Sequence, residues 1–183
     1  YMLRAIECTA EAGGKICVVH PGNSRTPEEN AEMYRELLPF AKACGIRIAT
    51  ENMFNWDHEK DDSLAAACST PESFLAHLDA VNDPDLVVCL DLGHAEMRGL
   101  GPSECANIRA LGSRIQALHI HDNDKRHDQH LLPYTGQIDM DAIADTLREV
   151  GYAGDCTLES YGFLRTLPAG ADLKAGVRRM AEA

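Results

Sequence analysis

Among the 183 residues, those able to do chemistry gather in a few places. His20, Glu51, Asp91, the pair His119 and His121, and Glu159 each close a short apolar run, and turn-forming residues follow at once: Pro21-Gly22, Asn52, Gly93, Asp122-Asn123 and Ser160. Alternation within an extended strand places His20 with Ile16 and Val18, Glu51 with Arg47 and Ala49, Asp91 with Val87 and Cys89, and Glu159 with Thr157. His119 and His121 both share a face with Ala117. Burying several carboxylates without counter-charge costs several kcal/mol each. No lysine or arginine occupies a matching strand end, so a bound cation is the economical compensation. Two Glu, one Asp and one His make an oxygen and nitrogen site suited to Mn, Mg or Co, and to Zn if further histidines join. His94, three residues after Asp91, and Asp128 and His130, in the loop after the His119 run, are such additions. Met53, Phe54 and Trp56, just past Glu51, are candidates to wall a small-ligand pocket, whereas His58, His77 and His127 read as surface residues.

These residues require elements that bring strand ends together. The strand candidates are Ile16 to His20, Ile46 to Glu51, Leu86 to Asp91, Ile115 to His121 and Cys156 to Glu159. They alternate with amphipathic stretches, the pattern of βα units around a parallel sheet. Thr26-Pro27-Glu28-Glu29 opens a helix that runs to Cys44-Gly45, and Thr70-Pro71-Glu72 opens one ending before Asn82. Further helices are expected from about Pro102 to Leu111, from about Asp141 to Val150 and from about Asp172, and Tyr1 lies within another. A closed eight-stranded barrel takes about 250 residues, so five strands leave a shortfall on the order of 70, about two βα units. An open doubly wound sheet is the rival architecture.

Composition narrows the function classes. With 45% hydrophobic and 25% charged residues the chain is of average globular make-up, one domain spanning 1–183. No apolar run approaches a membrane span and nothing resembles a signal peptide. A net charge of −12 disfavours nucleic acid and anionic membranes as partners. The seven cysteines include no C-x-x-C pair and fit a reducing cytoplasm.

Val18-Val19-His20-Pro21-Gly22, Thr50-Glu51-Asn52, Leu90-Asp91-Leu92-Gly93-His94, Leu118-His119-Ile120-His121-Asp122-Asn123, Asp128-Gln129-His130 and Thr157-Leu158-Glu159 together resemble the xylose isomerase-like TIM barrel superfamily. The likeness runs from about residue 16 to 160. It implies an α/β TIM (β/α)8 barrel whose first two strands lie upstream of Tyr1. It also implies one divalent metal ion held by Glu51, Asp91, His119 and Glu159. The choice of His119 rests on the family's pattern of a ligand with an acid three residues on, here Asp122; His121, with Asp124 at the same spacing, stays open. The activity implied is isomerisation or epimerisation of a small sugar or hydroxy-carbonyl compound through an enediolate, with Glu51 and Glu159 as acid and base. His20, His94, His121, His130 and Trp56 would then face a carbohydrate-like substrate. Lys125 stands where ketose epimerases carry an arginine, six residues past His119. The competing reading is a zinc phosphodiesterase of the endonuclease IV kind, in which His20, His94, Asp128 and His130 supply extra zinc ligands. A third is a barrel that binds a ligand without catalysis. Assembly of identical chains into a homo-oligomer is open on the sequence.

Overall fold

The computed structural model describes residues 1–101 and 103–181. Its order is α1 (Met2–Glu11), β1 (Ile16–Val18), α2 (Pro27–Ala43), β2 (Arg47–Glu51), β3 (Phe54–Asp57), β4 (Asp62–Ala65), α3 (Pro71–Val81), β5 (Leu86–Asp91), α4 (Leu92–Ala95), α5 (Glu104–Leu111), a 3-10 turn (Gly112–Arg114), β6 (Ile115–Ile120), α6 (Met140–Glu149), β7 (Cys156–Leu158), α7 (Gly162–Arg165) and α8 (Leu173–Ala181). The α2 start is a full capping box, with Thr26 accepting from the Glu29 amide and Glu29 accepting from the Thr26 amide. Such a cap contributes about 1 kcal/mol. Thr70 caps α3 by accepting from the Ser73 amide, and Asn82 ends that helix in the left-handed conformation at φ 54°. The helix expected from Pro102 begins, among the described residues, at Glu104; Pro102 itself lies outside them.

Strands β1-β2-β5-β6-β7 form one sheet in that order, every pair parallel. The two faces of this sheet differ. Ile48, Val88, Leu90 and Leu118 point outward into the main core, where they meet Ile6, Tyr34, Leu38, Phe74, Ile108 and Ile143 from the helices. The opposite face carries Ala49, Val87 and Cys89 packed with Ile16, Val18 and Ala117, and among the described residues no helix contributes to that cluster. A doubly wound sheet would need helices on both faces. Helices on one face and small apolar side chains on the other are the two layers of a barrel wall, so the strands curl into a half-barrel.

Three strand ends fall short of expectation. The β1 ladder stops at Val18, β6 at Ile120 and β7 at Leu158, so His20, His121 and Glu159 lie just beyond the regular strands. The hairpin β3–β4, paired antiparallel from Phe54↔Ala65 to Asp57↔Asp62, was not expected. Phe-Asn-Trp-Asp alternates apolar and polar residues over only four positions, and its partner Asp-Ser-Leu-Ala does not alternate, so the pair carries little of the pattern that marks a strand. Among the described residues, no helix is long and apolar enough to cross a membrane.

Candidate metal centre

Parallel pairing sets the strand ends side by side. Glu51 is the last residue of β2 and Asp91 the last of β5; His119 lies opposite Asp91 in the register, and Thr157 opposite His119. Glu159 follows β7 and still donates its amide to the Ile120 carbonyl at 2.9 Å. One donor atom from each of Glu51, Asp91, His119 and Glu159 lies within 4.8 Å of all the others. His119 Nδ1 is 3.2 Å from Glu51 Oε2 and 3.2 Å from Glu159 Oε2. Buried Glu51 Oε2, Asp91 Oδ2 and His119 Nδ1 nonetheless have no hydrogen-bond partner among the described residues. Close donor atoms left unaligned with one another are what a shared cation would organise. This chain's residues therefore fit a divalent ion.

The surroundings hold each side chain in place. Asn52, read from sequence only as a turn residue, receives the Asp91 amide on Oδ1 (2.8 Å) and donates Nδ2 to the Asp91 carbonyl (2.9 Å), locking the ends of β2 and β5 together. Asp91 Oδ1 accepts the His94 amide at 2.7 Å and faces His121 Nε2 at 3.0 Å, leaving Oδ2 free. Asp122 accepts from the amides of Asn123, Gly136 and Ile138 and so shapes the whole loop after β6.

Charge in the centre is tightly coupled. Burial pushes the Glu51 carboxyl up, but the His119 and His20 imidazoles beside it pull it further down, to about 2. Burial also opposes ionisation of Asp91, and His94 and His121 overcome it. Burial lowers His94, yet Asp91 and Asp128 push it up to about 10. His119 is raised by the same balance, with Cys89, Glu159 and Glu51 outweighing burial. Each of these shifts favours positive charge beside the buried carboxylates, the electrostatic role that a metal cation takes when bound.

A second set, His94, His121, Asp128 and His130, also brings one donor atom from each within 4.8 Å. His94 Nδ1 lies 2.9 Å from the Asn52 carbonyl and His130 Nδ1 lies 2.7 Å from the Glu159 carbonyl. The other nitrogen of each ring, Nε2, faces the Asp128 carboxylate, at 3.6 and 3.1 Å. His121 and His130 stack at 4.0 Å, and Tyr161 stacks on His130 at 4.1 Å.

Above the centre is a cavity of about 310 Å³, walled by His20, Asn23, Met53, Phe54 and Tyr161 over Glu51, His94, Asp128, His130 and Glu159. Of the residues expected to face a substrate, His20, His94 and His130 reach this cavity. His121 is fully buried beneath it against Asp91. Trp56 is not among the residues that wall it; its ring lies 5.6 Å from that of His127, on the hairpin. Larger clefts open at the other ends of the strands around Arg47 and Gln116 and contain no histidine. His58 is exposed and His127 partly so, but His77 is buried, 3.1 Å from Asn30 of α2, contrary to the surface position expected for it. Helix α3 packs its histidine inward because α2 offers a matching amide.

Comparison with known proteins bears on this arrangement. The chain is 29% identical over 165 residues to an uncharacterized protein of Methanocaldococcus jannaschii, MJ1311, covering 85% of this chain and 54% of that one. It thus spans about half the length of that relative. A D-tagatose 3-epimerase-like protein matches with a TM-score of 0.74 at 25% identity, over 98% of this chain and 67% of its own. The D-allulose 3-epimerase from Methylomonas sp. in complex with D-allulose matches with a TM-score of 0.63 at 21% identity, over 84% and 52%. The 3-keto-D-glucoside 4-epimerase of E. coli shares the fold at a TM-score of 0.71 and 17% identity, over 100% and 69%. The sequence pattern of one family matches every residue from 1 to 183. With its half-barrel and the acids and imidazoles at the carboxyl ends of the strands, the chain belongs to the xylose isomerase-like TIM barrel family.

Proposed function

We propose that the chain carries the metal and catalytic residues of a divalent-metal-dependent epimerase or isomerase acting on a small sugar or sugar-like hydroxy-carbonyl compound. The observation that carries this reading is the convergence of Glu51, Asp91, His119 and Glu159 under a small open cavity. Similarity to sugar epimerases supports it. One divalent ion, Mn, Mg, Co or Zn, would supply the positive charge that polarises the carbonyl and steadies the enediolate. The two glutamates flank His119, each 3.2 Å from its Nδ1. One takes the proton from the carbon beside the carbonyl, leaving the C–H electron pair in the enediolate. The other returns a proton to that carbon from the opposite face, so the configuration inverts and no co-reactant is consumed. His94 and His20, at the cavity wall, donate hydrogen bonds to substrate hydroxyls. Met53, Phe54 and Tyr161 exclude water from the reacting carbon.

The test is exchange of the α-proton with deuterated solvent, followed by NMR with D-tagatose and D-allulose as probes. Glu159→Gln keeps an oxygen toward the ion but cannot accept a proton, so exchange should fall about a thousandfold with the fold intact. Exchange near the wild-type rate would remove Glu159 from acid-base chemistry.

The His94, His121, Asp128 and His130 set favours a second reading, a zinc phosphodiesterase in which several ions activate water for attack at phosphorus. The net charge of −12 weighs against a nucleic-acid substrate. On the epimerase reading His130 faces substrate, so His130→Ala raises KM and leaves metal content unchanged. Loss of metal in that variant would favour the phosphodiesterase.

A further inference from the structure

Among the described residues, the cavity walls include no lysine or arginine. The cations of the loops after α4 and β6 are already neutralised. Lys125 Nζ binds Glu96 at 2.8 Å, Arg126 binds Asp61 at 2.6 Å and Arg98 binds Asp62 at 2.9 Å. Arg165 is different. Its guanidinium carbon lies 5.2 Å from the centre of the Tyr161 ring, and among the described residues no carboxylate pairs with it. Tyr161 is itself part of the cavity wall, and His130 stacks on it at 4.1 Å. A stacked guanidinium is held in position while its N–H groups stay free for an oxyanion.

The local charge points the same way. Between residues 160 and 181, Arg165, Lys174, Arg178 and Arg179 face a single acid, Asp172, in a chain whose net charge is −12. Arg179 stands over the Phe163 ring, also at 5.2 Å, so a second guanidinium is fixed on α7 from the neighbouring helix. Arg25, on the loop after β1, is likewise without a carboxylate partner among the described residues, but no ring of the cavity wall fixes it. Two guanidinium groups thus sit on α7 and on Tyr161 in the wall of an acidic cavity, where they steer an anion to that side.

We infer that Arg165, seated on Tyr161, receives an anionic group, phosphate or carboxylate, at the far end of the sugar-like substrate whose hydroxy-carbonyl end lies over Glu51 and Glu159. This rests on the epimerase reading and narrows it from sugars in general to acidic sugar derivatives. Guanidinium pairs bidentately with either oxyanion. Lys125, fixed on Glu96, is not free to do so.

The test is isothermal titration of the metal-loaded protein with D-tagatose, its 6-phosphate and its 6-carboxylate. An anionic derivative should bind about tenfold or more tighter than the neutral sugar, as one charge-assisted pair allows. Arg165→Ala should shrink that ratio to about twofold or less, Arg165→Lys should restore part of it, and Arg25→Ala should keep it. Whichever derivative shows the larger ratio identifies the oxyanion. Equal affinities in the wild type, or a ratio that survives Arg165→Ala, would overturn the inference. So would an oligonucleotide that displaces the sugar phosphate at lower concentration than the neutral sugar does. If D-tagatose binds and exchanges its proton without an anionic advantage, only this inference falls. If none of the three binds or exchanges, the epimerase reading falls with it.

Discussion

Gly93, in α4, is the position where one methyl group should disturb the centre most. A Cβ there would run into the His121 ring, overlapping its Cε1, Nε2 and Nδ1. That ring has no room to yield: it is 0% exposed, stacks on His130 at 4.0 Å and is held 3.0 Å from Asp91 Oδ1. Overpacking a buried site costs about 1–3 kcal/mol. Displacing His121 from the Asp91 carboxylate, buried to 0% exposure, costs about 1–3 kcal/mol more. Replacing glycine by alanine in a short helix returns about 1 kcal/mol. Gly93→Ala is therefore expected to destabilise by about 3 kcal/mol, measured by urea titration of the metal-free protein. The cause is checked by a double-mutant cycle: in a His121→Ala background the same substitution meets no ring and should instead stabilise by up to about 1 kcal/mol. A stability within about 0.5 kcal/mol of wild type, or an equal cost in both backgrounds, would refute the geometry.

A further prediction concerns Glu104. This residue is 0% exposed with both carboxyl oxygens unpartnered, and burial, then the charges of Glu96 and Asp91, raises its carboxyl well above the usual range. The folded chain keeps a proton that the unfolded chain releases above about pH 4.3, so this residue costs stability increasingly as pH rises. Glu104→Gln should therefore stabilise the protein more at pH 8 than at pH 5 in urea titrations, and an equal gain at both would contradict it.

Much of the grouping of Glu51, Asp91, His119 and Glu159 was legible because these residues are tied to strand ends. Glu51, Asp91 and Glu159 each close an apolar run, and alternation along β2, β5 and β7 is enough to put them on one face. Alternation could not separate His119 from His121, which are two residues apart. The difference arises where β6 stops at Ile120 and the chain bends into the Asp122↔Leu131 bridge. His121 then turns beneath His94 and Asp91, and His119 stays beside the two glutamates. The role of Asn52 was hidden because its partner is Asp91, 39 residues away. His77 and its partner Asn30 are 47 residues apart for the same reason: a helix-to-helix contact leaves no local trace. The hairpin β3–β4 is tied down by distant groups, with Arg98 on Asp62 and Arg126 on Asp61, and its four-residue strands are too short to stand out in the sequence. Trp56 follows that hairpin away from the cavity, and Phe54, 5.0 Å from the His94 ring, takes the place in the wall.

Metal stoichiometry tests the central claim most directly. Elemental analysis of the purified protein, side by side with Asp91→Ala and His119→Ala, should find one divalent ion per chain in the wild type and essentially none in either variant. His130→Ala should retain it. Full metal content in both Asp91→Ala and His119→Ala, or two to three zinc ions per chain that fall when His130 is replaced, would contradict the account of a single ion held by Glu51, Asp91, His119 and Glu159.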